Sequence, residues 1–129
     1  GRSLASCGTG ALILKESTRT FAEGMSSAAF RHGPLEMVSP ASLVLVFDGD
    51  PDTHHLNRKL VRTIRECGGR AETIGSESQL TALRLPENQS RTLTLLEMAP
   101  LQMLTLAIAA RTGFEAGRFR HAAKITTEE

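Results

Sequence analysis

Apolar and polar positions along the chain alternate between helical and strand-like spacing. From Ser3 to Met25, the residues Ala11, Leu14, Thr18, Phe21, Ala22 and Met25 fall on one helical stripe, and Glu16, Arg19, Thr20 and Glu23 fall on the other side. This spacing predicts a single long helix over 3–25, weakened in its first turns by Gly8 and Gly10 and marked near its end by Gly24. Ser26 and Ser27 can cap a short helix over 28–31. His32-Gly33-Pro34 then breaks the chain, and Pro34 suits the first residue of another helical turn through Leu35, Glu36 and Met37.

Residues 42–48, SLVLVFD, form a near-continuous apolar run between Pro40 and Gly49. Such a run predicts a strand buried on both faces, as in a parallel sheet. The next helix is expected to start with Asp50 as cap and Pro51 as first residue, and to stop at Gly68-Gly69. Its buried stripe would be Leu56, Leu60 and Ile64, flanked by Val61. A short strand is expected over 70–74 and another over 82–85. The last helix is expected over 90–112, broken near Pro100 and stopped by Gly113. Strands alternating with helices predict an α/β fold with an open parallel sheet and helices on both faces. Ligands of such sheets bind beyond the carboxyl ends of the strands. Because a helix comes first, the first strand is expected upstream of Gly1, and the chain is expected to be a fragment of a larger protein.

Composition narrows the function classes. The chain has 129 residues, 40% of them apolar and 22% charged, with a net charge of +1. That suits one soluble domain over 1–129. It argues against a nucleic-acid binder, which would carry a basic excess, and the absence of Trp and Tyr removes a stacking platform. The longest apolar stretch, 98–110, contains Gln102 and is too short to span a bilayer, so it reads as a buried core helix. Cys7 and Cys67 form no metal-type cluster and read as buried small hydrophobes in a reducing, cytoplasmic setting, with no signal peptide. His54 and His55 are neighbours on a helix and point about 100° apart, so they do not suit one metal. No Walker motif or GxGxxG is present, and neither metal nor nucleotide cofactor is expected.

Several separate segments carry a resemblance. GRS, GALILKES, FAEGMSSAAFRHGPLEMV, APLQMLTLAIAARTG and RHAAKITTEE occur in the order and at the spacing of the SIS (sugar isomerase) domain family. The chain is most similar to the second SIS domain of two-domain phosphosugar enzymes of the glucosamine-6-phosphate synthase type. The resemblance implies a three-layer α/β/α sandwich of flavodoxin-like form. It also implies a phosphosugar isomerase that interconverts aldose and ketose hexose or amino-hexose 6-phosphates, with amine release or transfer as a variant. By motif match, Glu16 takes the place of the base for C1–C2 proton transfer. His32 takes the place of a ring-opening histidine that reaches across a homodimer into the partner's site. Lys124 and Arg120 match the tail lysine and arginine near the sugar. The partners implied are a sugar phosphate and the first SIS domain of the same protein, with no nucleic acid and no membrane. The pattern departs at two positions. Ser3 stands third in a turn that is GRG in the family, and Ile13 replaces a lysine.

The chemistry of these residue types is suitable. Isomerisation needs a base to move a proton between adjacent carbons and groups that open the ring. Glu16 could serve as that base, although it lies opposite the apolar stripe, as a solvated surface glutamate would. A histidine side chain can both give and take a proton, and His32 is fixed by Gly33-Pro34. Lys124 could stabilise a developing enolate oxygen, and Arg120 could grip phosphate with its planar fork. Ser3 and Ser6 could touch an anion at a helix N-terminus. Glu23, seven residues beyond Glu16, would lie about 10 Å further along the same helix, so it suits a salt bridge better than a carboxylate pair. The alternative is a non-catalytic module that senses sugar phosphates, or a half-domain whose role is to dimerise.

Overall fold

The computed structural model describes residues 2–87 and 92–121. Helix α1 (Leu4–Thr18) and the short α2 (Ser27–Arg31) lead through a 3-10 turn at Pro34–Met37 into strand β1 (Leu43–Phe47). A 3-10 turn at Pro51–Thr53 opens α3 (His54–Glu66), which is followed by β2 (Arg70–Ile74), a 3-10 turn at Thr81–Leu83 and α4 (Leu93–Thr112).

The two strands pair in parallel, from Leu43 opposite Arg70 to Phe47 opposite Ile74. Side chains of a strand alternate between its faces, and this sorts the core into two clusters. Val46 and Ala71 meet Leu60, Val61 and Ile64 of α3, with Phe30, Leu35, Val38 and Val44 packed around them. On the other face Ile74, with Leu45 and Phe47, meets Leu83, Leu85, Leu93 and Leu101. Helix α1 lies on α4, so close that a Cβ on Gly10 would come 2.3 Å from Leu101 Cδ1. The architecture is therefore helix, sheet, helix in three layers, an α/β fold as the alternation of elements implied.

Several expectations are corrected. Helix α1 stops at Thr18, not Met25. The Thr18 hydroxyl bonds to the Leu14 carbonyl at 2.6 Å and to the Thr20 hydroxyl at 2.9 Å, and Arg19 turns left-handed at φ 55°. Threonine competes in this way with the helix backbone. The chain then folds back along α1. Gly24 rests on the Cys7 carbonyl, where a Cβ would approach to 2.6 Å, and the Cys7 thiol donates to the Met25 carbonyl at 3.6 Å. Phe21, placed on the buried stripe, is fully exposed. Glu23 consequently does not share a helix with Glu16, and its side chain makes no ion pair among the described residues.

The stretch expected as a third strand over 82–85 makes one parallel bridge, Gly75 with Arg84, beside the 3-10 turn. β1 is less buried than its apolar run implies, with Val46 buried and Leu43 half-exposed. In α3, Leu60, Val61 and Ile64 are buried as expected, but Asn57 joins them and Leu56 is exposed. Helix α4 runs unbroken through Pro100, whose ring is buried, and ends at Gly113 in the left-handed region. By length and composition α4 could cross a membrane. Here it packs one side against α1 and the sheet, with a buried glutamate, Glu97, on that side. Cys67 is exposed at the end of α3, and Cys7 is half-buried.

Candidate functional site

Glu16 sits in the last turn of α1, opposite the side that packs on α4, and is exposed. It lies thirteen residues beyond Ser3, about 20 Å along the helix axis. Ser3 is at the carboxyl edge of the sheet, so Glu16 is at the far end of α1 from that edge. His32 ends α2, its amide donating to the Ala29 carbonyl at 3.1 Å, and its ring is exposed. Among the described residues, neither side chain makes a hydrogen bond or ion pair. Arg120 is exposed beyond α4 and also makes none. Lys124 lies outside the described residues.

The turn that carries His32 is firmly anchored. Arg31 donates to the Leu56 carbonyl at 2.6 Å, and the Ser27 hydroxyl donates to Asn57 Oδ1 at 3.1 Å. The Asn57 amide in turn donates to the Phe47 carbonyl at 3.1 Å and to Asp48 Oδ1 at 3.2 Å. One buried side chain thus ties the histidine-bearing α2, the start of α3 and the carboxyl end of β1 together. Sequence periodicity missed Asn57 because it was read for apolar positions. The signal available was an asparagine three residues before Leu60, on the core stripe.

Ser3 and Ser6 face inward. The Ser3 hydroxyl donates to Glu97 Oε1 and the Ser6 hydroxyl to Glu97 Oε2, both at 2.6 Å. Glu97 is fully buried. It too was missed, although a glutamate set directly before the apolar run at 98–110 was there to be noticed. Its negative charge adds to burial, the larger cause, in holding the Cys7 thiol above the usual cysteine range.

A cavity of about 250 Å³ opens at the carboxyl ends of both strands, lined by Asp48, Gly49, His54, Gly75, Ser76 and Glu77 among others. Burial pushes the Asp48 carboxyl up, against the Asn57 hydrogen bond and the charges of His54 and Arg58. A wider groove of about 610 Å³ runs between α3 and β2, where Arg58 pairs with Glu77 and Arg65 pairs with Glu72 at 3.2 Å. Neither cavity includes Glu16, His32 or Arg120. Of the two histidines at the start of α3, His54 lines the smaller cavity and His55 is exposed. The structure therefore brings Ser3 and Ser6 together on Glu97 and leaves Glu16, His32 and Arg120 as separate exposed groups.

Comparison with known proteins points one way. The family model described as SIS domain matches residues 1–110. Glutamine–fructose-6-phosphate aminotransferase [isomerizing] of Tropheryma whipplei is 33% identical over 130 residues, covering 92% of this chain and 21% of the relative. The protein of the same name from Chlorobaculum tepidum is 32% identical over 127 residues, covering 93% and 21%. That from Encephalitozoon cuniculi is 29% identical over 136 residues, covering 100% and 19%. The chain spans about one fifth of the length of these relatives.

Proposed function

The chain belongs to the SIS domain family, and from that membership we propose that it supplies acid–base groups to the isomerisation of a hexose or amino-hexose 6-phosphate. The relatives' names join fructose 6-phosphate, isomerisation and amino transfer. Glu16 takes the proton from C2 of the open-chain aldose as the C2–H electrons form C1=C2 and the C1=O1 pair moves onto O1, giving an enediolate. The O2 proton passes to O1, the O2 electrons form C2=O2, and the C1=C2 pair takes the proton back from the same carboxyl at C1, giving the ketose. His32 moves the proton between the anomeric hydroxyl and the ring oxygen that opens the ring. Lys124 offsets the enediolate charge, and Arg120 holds phosphate.

The observation that carries this reading is the family match over residues 1–110, in which Glu16 and His32 stand solvent-facing and make no side-chain hydrogen bond or ion pair among the described residues. A catalytic group must be free to meet its substrate, and both are. Their separation from the cavities of this domain fits a site completed by chain beyond this one. The matched segment is a fifth of its relatives, and His32 would act in the site of a second copy.

The test is hydrogen exchange at C2 of glucose 6-phosphate and of glucosamine 6-phosphate in D₂O, followed by proton NMR. It is run on the longest polypeptide that carries this chain. Glu16→Gln is expected to slow exchange by roughly 10²–10⁴-fold, the usual contribution of a general base. Unchanged exchange in that variant would sink the assignment. Line-broadening of the sugar phosphate with no exchange in the parent protein would favour a sensing module.

A further inference from the structure

Helix α2 has five residues and ends at His32. A helix that short does not hold its shape by itself, so the direction in which it presents His32 is set by what it touches. Phe30 packs against the core between α3 and β1, and Arg31 donates to the Leu56 carbonyl at 2.6 Å. The two serines at its start divide the polar work. The Ser26 side chain caps the helix, accepting from the Ala29 amide at 3.1 Å. That leaves the Ser27 hydroxyl free of the cap, and it donates to Asn57 Oδ1 at 3.1 Å. Asn57 is 6% exposed. Its amide nitrogen faces the Phe47 carbonyl, Asp48 Oδ1 and Thr53 Oγ1 at 3.1, 3.2 and 3.3 Å. A backbone carbonyl can only accept, so the nitrogen must face Phe47 and the oxygen is left for Ser27. Aspartate lacks the donor this place requires, and leucine lacks both donor and acceptor.

We propose that Asn57 and Ser27 are positioning residues for the ring-opening step, tying α2 to the end of β1 so that His32 meets the sugar at a fixed angle. The inference rests on the role proposed above for His32 and adds two residues to it, neither of which touches substrate. Proton transfer to a ring oxygen depends on placement, and a shift of about 1 Å can cost roughly 10²-fold in rate. Asn57 suits this duty because its bonds reach β1, the start of α3 and α2 at once.

The experiment reads two rates on glucose 6-phosphate, with the longest polypeptide that carries this chain. Exchange between the anomers, by magnetisation-transfer NMR, reports ring opening. Hydrogen exchange at C2 in D₂O reports the transfer at Glu16. Ser27→Ala cuts the link to α2 and leaves Asn57 its bonds to Phe47, Asp48 and Thr53. It is expected to slow anomer exchange about tenfold, and C2 exchange by less. Ser27→Thr keeps the hydroxyl and is expected to restore anomer exchange. Asn57→Asp sets an oxygen against the Phe47 carbonyl and is expected to show the same selective loss; if it does not fold, Ser27→Ala decides. A smaller folded fraction would lower both rates by one factor. That result, or wild-type anomer exchange in Ser27→Ala, would overturn the proposal. His32→Ala keeps the two readings apart. If it leaves anomer exchange unchanged, the ring-opening role of His32 fails and the proposal with it. If it slows anomer exchange while Ser27→Ala does not, the positioning role alone fails.

Discussion

Asp48 shows how a single residue couples position to pH. It follows β1 directly, is buried, and is held by Asn57 at 3.2 Å. Burial raises its pKa above the ordinary aspartate range, so the folded state binds the proton more tightly than the unfolded one. Stability is then full below the unfolded value and falls as pH rises through the raised folded value. Asp48→Asn keeps an acceptor for Asn57 and removes the buried charge. It is expected to flatten that fall and to be at least as stable as wild type at neutral pH, as read from urea midpoints across a pH series. Two glycines give a sharper comparison. A Cβ at Gly24 meets the Cys7 backbone carbonyl at 2.6 Å, whereas one at Gly10 meets the end of the Leu101 side chain at 2.3 Å. Backbone cannot yield, and Gly24 lies outside α1, so nothing offsets the clash. In the helix, Gly10→Ala regains roughly 1 kcal/mol of propensity. Gly24→Ala is therefore expected to destabilise by about 1–3 kcal/mol, more than Gly10→Ala, in chemical denaturation.

Among the elements, the end of α1 sets the path of the whole first third. Arg19 accepts a left-handed backbone at φ 55° while its guanidinium lies 4.2 Å from the Phe114 ring centre. The strain costs about 1–2 kcal/mol, and the cation–π contact returns about 0.5–1 kcal/mol. Arg19→Ala keeps the strain and loses the contact. Arg19→Gly loses the contact but relieves the strain. Thermal melts are expected to rank Arg19→Gly above Arg19→Ala by about 0.5–1 kcal/mol, the left-handed gain less the entropy cost of glycine. Equal melting points would show that the turn relaxes without Arg19. Periodicity read past this end because Phe21, Ala22 and Met25 continue the helical spacing. What stopped the helix was local bonding by Thr18 and the fit of Gly24 on Cys7, and spacing reports neither.

On the scale of the whole molecule, the three layers position two distinct regions. One is the carboxyl edge of the sheet, where Ser3 and Ser6 bond to the buried Glu97. The other consists of exposed groups, Glu16 and His32, which this domain alone does not join. The proposed crossing of His32 into a partner's site has a direct consequence. Equal amounts of Glu16→Gln and His32→Ala protein, each inactive by itself, would form mixed dimers in which one site has both wild-type residues. With random mixing, about one quarter of wild-type C2 exchange is expected to return. No recovery, with dimers verified by light scattering, would mean that His32 acts in its own subunit.

Helix α3 itself begins at His54 and the strand expected over 82–85 is a single bridge, but the alternation of helices with two parallel strands, the α3 core stripe of Leu60, Val61 and Ile64, the Asp50 cap and Pro51 start of the 3-10 turn that leads into α3, and the stop at Gly113 were legible in the chain. So was membership of the SIS family, carried by segments spread from the first turn to the last helix. These follow from local spacing, capping and motif order, which any stretch of sequence displays by itself. The end of α1, the exposure of Phe21 and Cys67, the partnership of Ser3 and Ser6 with Glu97, and the role of Asn57 were decided by the tertiary structure. Each depends on a partner far along the chain or on a backbone-to-backbone fit. Ser3 and Glu97 stand ninety-four residues apart, and a hydroxyl has no meaning for a site until the fold determines which group it faces.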